Sequence, residues 1–384
     1  MVHFMIDCKI ENESAQISNR SINIDIIRIL AGLFIVAVHY FLANGYYQQI
    51  FEWPNKSLFV MTYIRIFNTT CVPLFMMLSG YLLIKKTEFS RGYIPSRLKP
   101  FIIYIMFSIL RGVVGVYRFN VFFTKETPID IVLDTISFRY AWYIEFYFGF
   151  ILLVPFINKI WANCTLYEKR VLILALIFIS TLGPVLNVYN FKDLSWWLMP
   201  SKNTEYSKII TDYWTSLYPF VYYFIGAYLR ERYLKISKII HAMLILIITF
   251  FVSVYTYWRN IGTTFILENW CNYPSILIVV LSVLVFSFVL NLDFSGVNNS
   301  HRKIIKKTSS LIWGAFLSNE FFQNMFYPIM LDYTTDLKSR LLAFFIFVPI
   351  VFVCSLILSY IMEMIYSCCV KLFSCITNTS KKHI

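Results

Sequence analysis

Charged residues are scarce. Asp, Glu, Lys and Arg make up 14% of the 384 residues, against about 25% in an ordinary soluble domain. With 58% hydrophobic residues and a mean hydropathy of +0.64, that deficit excludes a soluble globule. The eight cysteines lack paired spacing, which excludes a disulfide framework and a zinc site, and no metal is expected. The opening MVHFMI is too short for a signal-peptide core, so no cleaved export signal is expected. The longest stretches between apolar runs, 118 to 139 and 188 to 212, are too short for a soluble domain, and no internal repeat is evident.

What the chain has instead is long apolar runs. A segment of about 20 apolar residues crosses a hydrocarbon core of about 30 Å as a helix. Ten segments qualify: 22 to 44, 58 to 84, 94 to 117, 140 to 158, 171 to 187, 213 to 229, 239 to 258, 271 to 291, 308 to 327 and 341 to 368. The expected fold is all-α, a polytopic bundle of about ten transmembrane helices. Placing the amino terminus in the cytoplasm puts 21 Lys and Arg in inner segments, 10 in outer segments and three (Arg28, Arg65, Arg111) within spans. The positive-inside rule therefore predicts cytoplasmic tails at 1–21 and 369–384 around a membrane domain at 22–368. The net charge of +13 is spread between apolar runs rather than gathered on a soluble face, which argues against nucleic acid.

The first span, INIDIIRILAGLFIVAVHYFLAN, carries Asp25, Arg28 and His39, and charged groups at that depth are costly unless they face protein, water or a substrate. Arg28 and His39 are eleven positions apart, so steps of about 100° bring them to one helix face, about 16 Å apart along the axis. Asp25, Gly32 and Val36 complete a stripe on that face. This pattern resembles the opening span of the membrane acyltransferase 3 family, an arginine and a histidine separated by ten residues. VPLFMMLSGYLL (72 to 83) is similar to the family's Pro-x-Phe and Ser-Gly-Tyr, here Pro73, Phe75, Ser79, Gly80 and Tyr81. SRLKPF (96 to 101) and WYIEFYFGFILLVP (142 to 155) resemble the starts of the third and fourth spans. YYFIGAYL (222 to 229) and SSLIWGAFLSNEFF (309 to 322) match more loosely. The last departs from the family, because Phe316, Leu317, Ser318 and Asn319 stand where many members end in Tyr-Leu-x-His.

The resemblance implies transfer of an acyl group, usually acetyl from cytoplasmic acetyl-CoA, to a hydroxyl of a surface polysaccharide, O-antigen, capsule or lipid-linked glycan, in the plasma or inner membrane. O-acyl transfer needs a base for the acceptor hydroxyl, and an imidazole suits that task near neutral pH. His39 is the expected base. Arg28 is expected to hold CoA phosphates, with Asp25 as its orienting neighbour. Ser79, Gly80 and Tyr81 are placed at the donor entrance, the alternative for Gly80 being a small-residue helix contact. Arg97, with Lys99 and Pro100, is expected to attract the same phosphates.

His39, Arg65, Arg111, Glu145 and Glu320 all fall in the outer third of their spans, which suggests a shared polar cavity. Ion pairs that lock the bundle are the alternative. Glu145 and Glu320 are the further catalytic candidates. Trp142, Tyr143 and Asn319, with Gln323 nearby, are expected beside the acceptor, since aromatic and amide side chains bind sugars by stacking and hydrogen bonding. A transporter or flippase for a glycan or glycolipid, and a sensor or export accessory, are the competing readings.

Overall fold

The computed structural model describes residues 22–117, 128–137, 141–198, 206–232, 234 and 236–380. The predicted tail 1–21 and the basic residues Arg118, Lys125, Arg139 and Lys202 lie outside them. Among the described residues the chain is all-helical, with no strand and a single extended bridge between Phe51 and Ile261.

Twelve helices carry the architecture: α1 (Ile22–Ala43), α2 (Lys56–Asn68), α3 (Cys71–Leu83), α4 (Leu98–Tyr117), α5 (Pro128–Ile136), α6 (Trp142–Asn163), α7 (Leu166–Thr181), α8 (Tyr218–Glu231), α9 (Lys238–Asn260), α10 (Ile276–Leu290), α11 (Asn299–Tyr333) and α12 (Leu337–Ser380). Side-chain caps start several of them. Asn55, Ser237, Ser275 and Asn298 each accept a first-turn N–H, and Thr165 with Glu168 closes a capping box on α7. Such caps satisfy donors that a helix start otherwise leaves open.

Among the described residues, seven segments are long and apolar enough to cross a membrane: Ile22–Ala43, Lys56–Leu83, Trp142–Asn163, Leu166–Leu186, Lys238–Asn260, Asn269–Leu290 and Leu337–Leu372. The three further predicted spans correspond to α4, α8 and α11. Helix α8 has only 14 residues, or about 21 Å, and α11 begins in the basic stretch around Arg302, Lys303, Lys306 and Lys307.

The predicted boundaries differ at the second span and at the last two, α11 running over Asn299–Tyr333 rather than 308 to 327. The second span is broken at Thr69 and Thr70 into α2 and α3. Pro73 has no N–H to donate to the Thr69 carbonyl four residues back, and at the break the Thr69 and Thr70 hydroxyls join their own backbone N–H groups on Arg65 O and Phe67 O, both at 2.9 Å. The last helix runs on to Ser380 rather than ending at 368, so the predicted carboxy-terminal tail is largely helical.

Helix α1 is the centre of the bundle, packed against α2, α3, α10, α11 and α12. Its pairing with α11 holds one register over several turns. Arg28 meets Ser309, Gly32 meets Ile312 and His39 meets Asn319, at sequence offsets of 281, 280 and 280. A constant offset means that the two helices run parallel, side by side. A Cβ on Gly32 would lie 2.8 Å from Ile312 Cγ2, so the glycine admits the close approach. What it admits is a buried isoleucine rather than a ligand. Val36 likewise packs into an apolar cluster with Tyr40 and Tyr327, so the predicted stripe does not face one cavity throughout.

Helices α3 and α8 approach more tightly still. A Cβ at Gly80 would fall 1.8 Å from Tyr223 O, and one at Gly226 would fall 2.0 Å from Met77 O. Gly80 is thus a backbone-to-backbone helix contact, and its predicted place at a donor entrance is corrected. Because backbone cannot yield as a side chain tip does, Gly80→Ala should cost about 3 kcal/mol. Gly149, which has nothing within 4 Å of an added Cβ, serves as the control. Thermal unfolding in detergent checks it, with Gly80→Ala melting well below wild type and Gly149→Ala close to it.

Candidate active site

A cavity of about 400 Å³ runs beside α1 from Arg28 to His39, a distance of about 16 Å along the helix. Arg28, Ile35, Val38 and His39 of α1 form one wall, and Cys71, Val72, Phe75, Leu78, Ser79 and Leu82 of α3 face them. The start of α6 adds Trp142, Tyr143 and Tyr147, and α11 adds Ser309, Ser310, Ile312, Trp313 and Phe316. Arg97 and Pro100 close the Arg28 end, and Tyr273 stands beside Cys71 near the other.

The two ends differ in charge. Arg28 Nη1 donates to Ser309 Oγ at 3.4 Å. Arg97 lies with its guanidinium carbon 5.4 Å from the Tyr93 ring centroid, and its buried Nε has no partner. Tyr147 is within electrostatic reach of both arginines. No Asp or Glu is among the described lining residues. The Arg28 end therefore carries two cations without a carboxylate in the wall, an arrangement suited to an anion.

At the other end His39 Nδ1 is 3.0 Å from Asn319 Oδ1 and 3.3 Å from Gln323 Nε2. Gln323 Nε2 also donates to Asn319 Oδ1, and Asn319 Nδ2 donates to Phe316 O. The His39 Nε2 has no protein partner and is not among the buried polar atoms, so it opens to the cavity. Around it stand aromatic rings. Trp142, 47% exposed, stacks on Tyr273 with centroids 6.1 Å apart, and Tyr143 packs against Phe75 and Phe316.

The predicted site residues thus divide. The structure brings His39, Arg28, Ser79, Arg97, Trp142 and Tyr143 to one cavity, although the Ser79 hydroxyl is spent on Phe75 O at 2.9 Å. Asn319 touches His39 rather than lining the cavity as an acceptor contact. Asp25 is buried in the first turn of α1 and is not part of the wall. Tyr81 is turned toward Phe286 and Arg230.

The shared outer cavity of five charged groups is corrected. Arg65 is buried in an aromatic cage, its guanidinium carbon 4.3 Å from the Phe265 centroid and its Nε bonded to Tyr47 OH at 2.9 Å. Arg111 pairs with Asp134 of α5 at 3.4 Å and lies 4.0 Å from Glu320, a cluster outside the cavity. Glu145 is exposed and does not line it. Adjacent helical positions differ by about 100°, which is why Asn319 meets α1 while Glu320 meets α4.

Sequence reasoning did not single out Tyr147, Trp313, Ser309 or Tyr273. The signal for the α11 residues was present, since 309, 313 and 316 follow helical spacing at the depth of Arg28 to His39. Tyr273 lies in a loop and left no periodic trace.

Fold and cavity together define a multi-pass membrane protein with a buried site built on α1 and α11. The chain belongs to the acyltransferase 3 family, whose acyltransferase-domain model matches residues 21–364. It is accordingly a membrane acyltransferase. No curated protein and no solved structure matches the chain.

Glu320 and Arg111 are partly solvated, with side chains 39% and 22% exposed. Glu320→Gln should therefore change stability by no more than about 1 kcal/mol. Thermal unfolding of the purified variant checks this, and a loss several times larger would show that the cluster holds α4 to α11 more firmly than an exposed pair does.

Proposed function

We propose that the protein is an O-acyltransferase that moves an acetyl group from cytoplasmic acetyl-CoA to a hydroxyl of a surface polysaccharide or lipid-linked glycan. Its setting is the plasma or inner membrane, as a ten-span domain at 22–368 with both termini cytoplasmic. Helices α4, α8 and α11 are then spans in addition to the seven apolar segments. The observation that carries this reading is one cavity with Arg28 and Arg97 at one end and the open Nε2 of His39 at the other.

The residues fit the donor. Arg28 and Arg97 would hold the CoA phosphates by charge-assisted hydrogen bonds, and the partnerless Arg97 Nε is a donor awaiting an acceptor. The cavity between them and His39 is walled by apolar and aromatic side chains, which suits a slender neutral arm and excludes water. When bound, the donor supplies the thioester carbonyl and a sulfur leaving group. His39 accepts the acceptor hydroxyl's proton as its oxygen bonds to the acyl carbon, the carbon–sulfur bond breaks, and the proton passes from His39 to the departing thiolate. Trp142 and Tyr273 provide stacking faces for a sugar ring beside His39. Glu145 and Glu320 have no part in this scheme.

Mass analysis of surface glycans from cells with and without the gene is the direct test. Loss of the acetyl mass increment supports the reading, and an unchanged glycan and lipid profile overturns it in favour of a transporter or export accessory. In cells that express the variants, His39→Gln should lower acetyl transfer about a hundredfold or more, the usual scale for losing a general base. Arg28→Gln and Arg97→Gln should each raise the KM for acetyl-CoA about tenfold or more, since a lost charge-assisted bond costs about 1.5–3 kcal/mol. A steady-state donor titration in membranes checks it.

A further inference from the structure

We infer that Asn319, held by Gln323, is the positioning residue that fixes His39 as the Nδ1–H tautomer and so leaves the Nε2 lone pair facing the cavity. The inference deepens the acyl-transfer reading and rests on it for its catalytic meaning, but the tautomer itself is a property of the protein alone.

The hydrogen-bond directions decide the tautomer. Asn319 Nδ2 donates to the Phe316 carbonyl one turn back, which orients the amide and leaves Oδ1 toward α1. Reversing the amide would set two carbonyl oxygens against each other. Oδ1 is an acceptor only, and it lies 3.0 Å from His39 Nδ1. An unprotonated Nδ1 at that distance would place lone pair against lone pair, so Nδ1 carries the proton and donates. Gln323 Nε2 lies 3.3 Å from the same nitrogen and donates to Asn319 Oδ1, which it steadies from the next turn of α11. Asn319 and Gln323 are 2% and 9% exposed, so neither amide has water to exchange for these partners. A base whose second nitrogen is fixed by a hydrogen bond is held in both tautomer and ring orientation.

The arrangement departs from the family pattern at that position. Where a histidine would supply an ionisable neighbour, this chain has a neutral amide that neither gives up nor takes a proton. His39 alone therefore carries the proton through the reaction, and Asn319 and Gln323 never touch the reacting atoms.

Nitrogen-15 NMR of histidine-labelled full-length protein in lipid nanodiscs tests this. Of five histidines in the chain, the His39 signals are those lost in His39→Gln. At about pH 8, above the ordinary imidazole range, Nδ1 should show the protonated shift and Nε2 the unprotonated one. Asn319→Leu should give a mixture of tautomers, and Asn319→Asp should keep the wild-type tautomer because a carboxylate accepts the same proton. A wild-type spectrum with the proton on Nε2 overturns the inference whether or not any variant folds, and so does an unchanged tautomer in Asn319→Leu. In cells, Asn319→Leu should lower acetyl transfer about a hundredfold or more while Asn319→Asp restores most of it, the pattern expected when the orienter of a base is lost and replaced. The glycan comparison without the gene is scored separately. If it shows no acetylation, the acyl-transfer reading falls and the tautomer result still stands or fails by its own spectrum.

Discussion

The packing of α1 against α11 fixes everything else in the site. The two helices run parallel, at sequence offsets of 281 for Arg28 and Ser309 and 280 for His39 and Asn319, and Gly32 permits the approach midway by presenting no Cβ to Ile312. Because the helix rise is fixed at about 1.5 Å per residue, both polar contacts are set once the central one is made. A one-residue change of register would turn His39 from Asn319 by about 100°. Helix α12 backs this pair, with Ser359 seated against Gly314 and bonded to Leu311 O at 2.7 Å.

Much of this was legible before any coordinates. The Arg28-to-His39 spacing placed both groups on one face, and both line one cavity. The apolar runs predicted the helices, apart from the break at Thr69 and the greater lengths of α11 and α12. What spacing could not reveal was azimuth relative to the neighbours. Depth grouped His39 with Arg65, Arg111, Glu145 and Glu320, but a shared depth says nothing about which side of a helix faces which partner: His39 meets Asn319, and Arg111 lies near Glu320. Depth therefore leaves a shared cavity and bundle-locking ion pairs equally open for Arg65, Arg111 and Glu145, which the structure divides among an aromatic cage, an ion-pair cluster and an exposed face. Gly80 shows the same limit. A small residue reads equally as room for a ligand or room for a helix, and only the position of Tyr223 O decides between them.

The distribution of buried charge follows one rule of the apolar interior, that each cation must find compensation without depending on water. Arg65 and Arg259 meet it with aromatic faces and single hydrogen bonds, Arg259 lying 4.9 Å from the Trp196 centroid and donating to Val188 O at 2.9 Å. Arg111 meets it with Asp134. Arg28, bonded to Ser309, and Arg97, beside the Tyr93 ring, also line the cavity, where no Asp or Glu is among the described lining residues. Position at the cavity separates the cations that an anion can reach there from those packed away from it.

The same economy explains an amide beside His39. A carboxylate there would hold the imidazole in the same tautomer and would stabilise its protonated form more strongly. It would also be a buried charge whenever the histidine is neutral, at a cost of several kcal/mol in a low-dielectric interior. Asn319 accepts the same proton without that cost, and its own donor is satisfied within α11 at Phe316 O. A neutral partner adds no charge at the His39 end, and among the described lining residues the arginines are Arg28, about 16 Å away along α1, and Arg97. An anionic group on a bound molecule is then drawn to one end and its neutral end to the other, which orients it along the cavity before any chemistry begins.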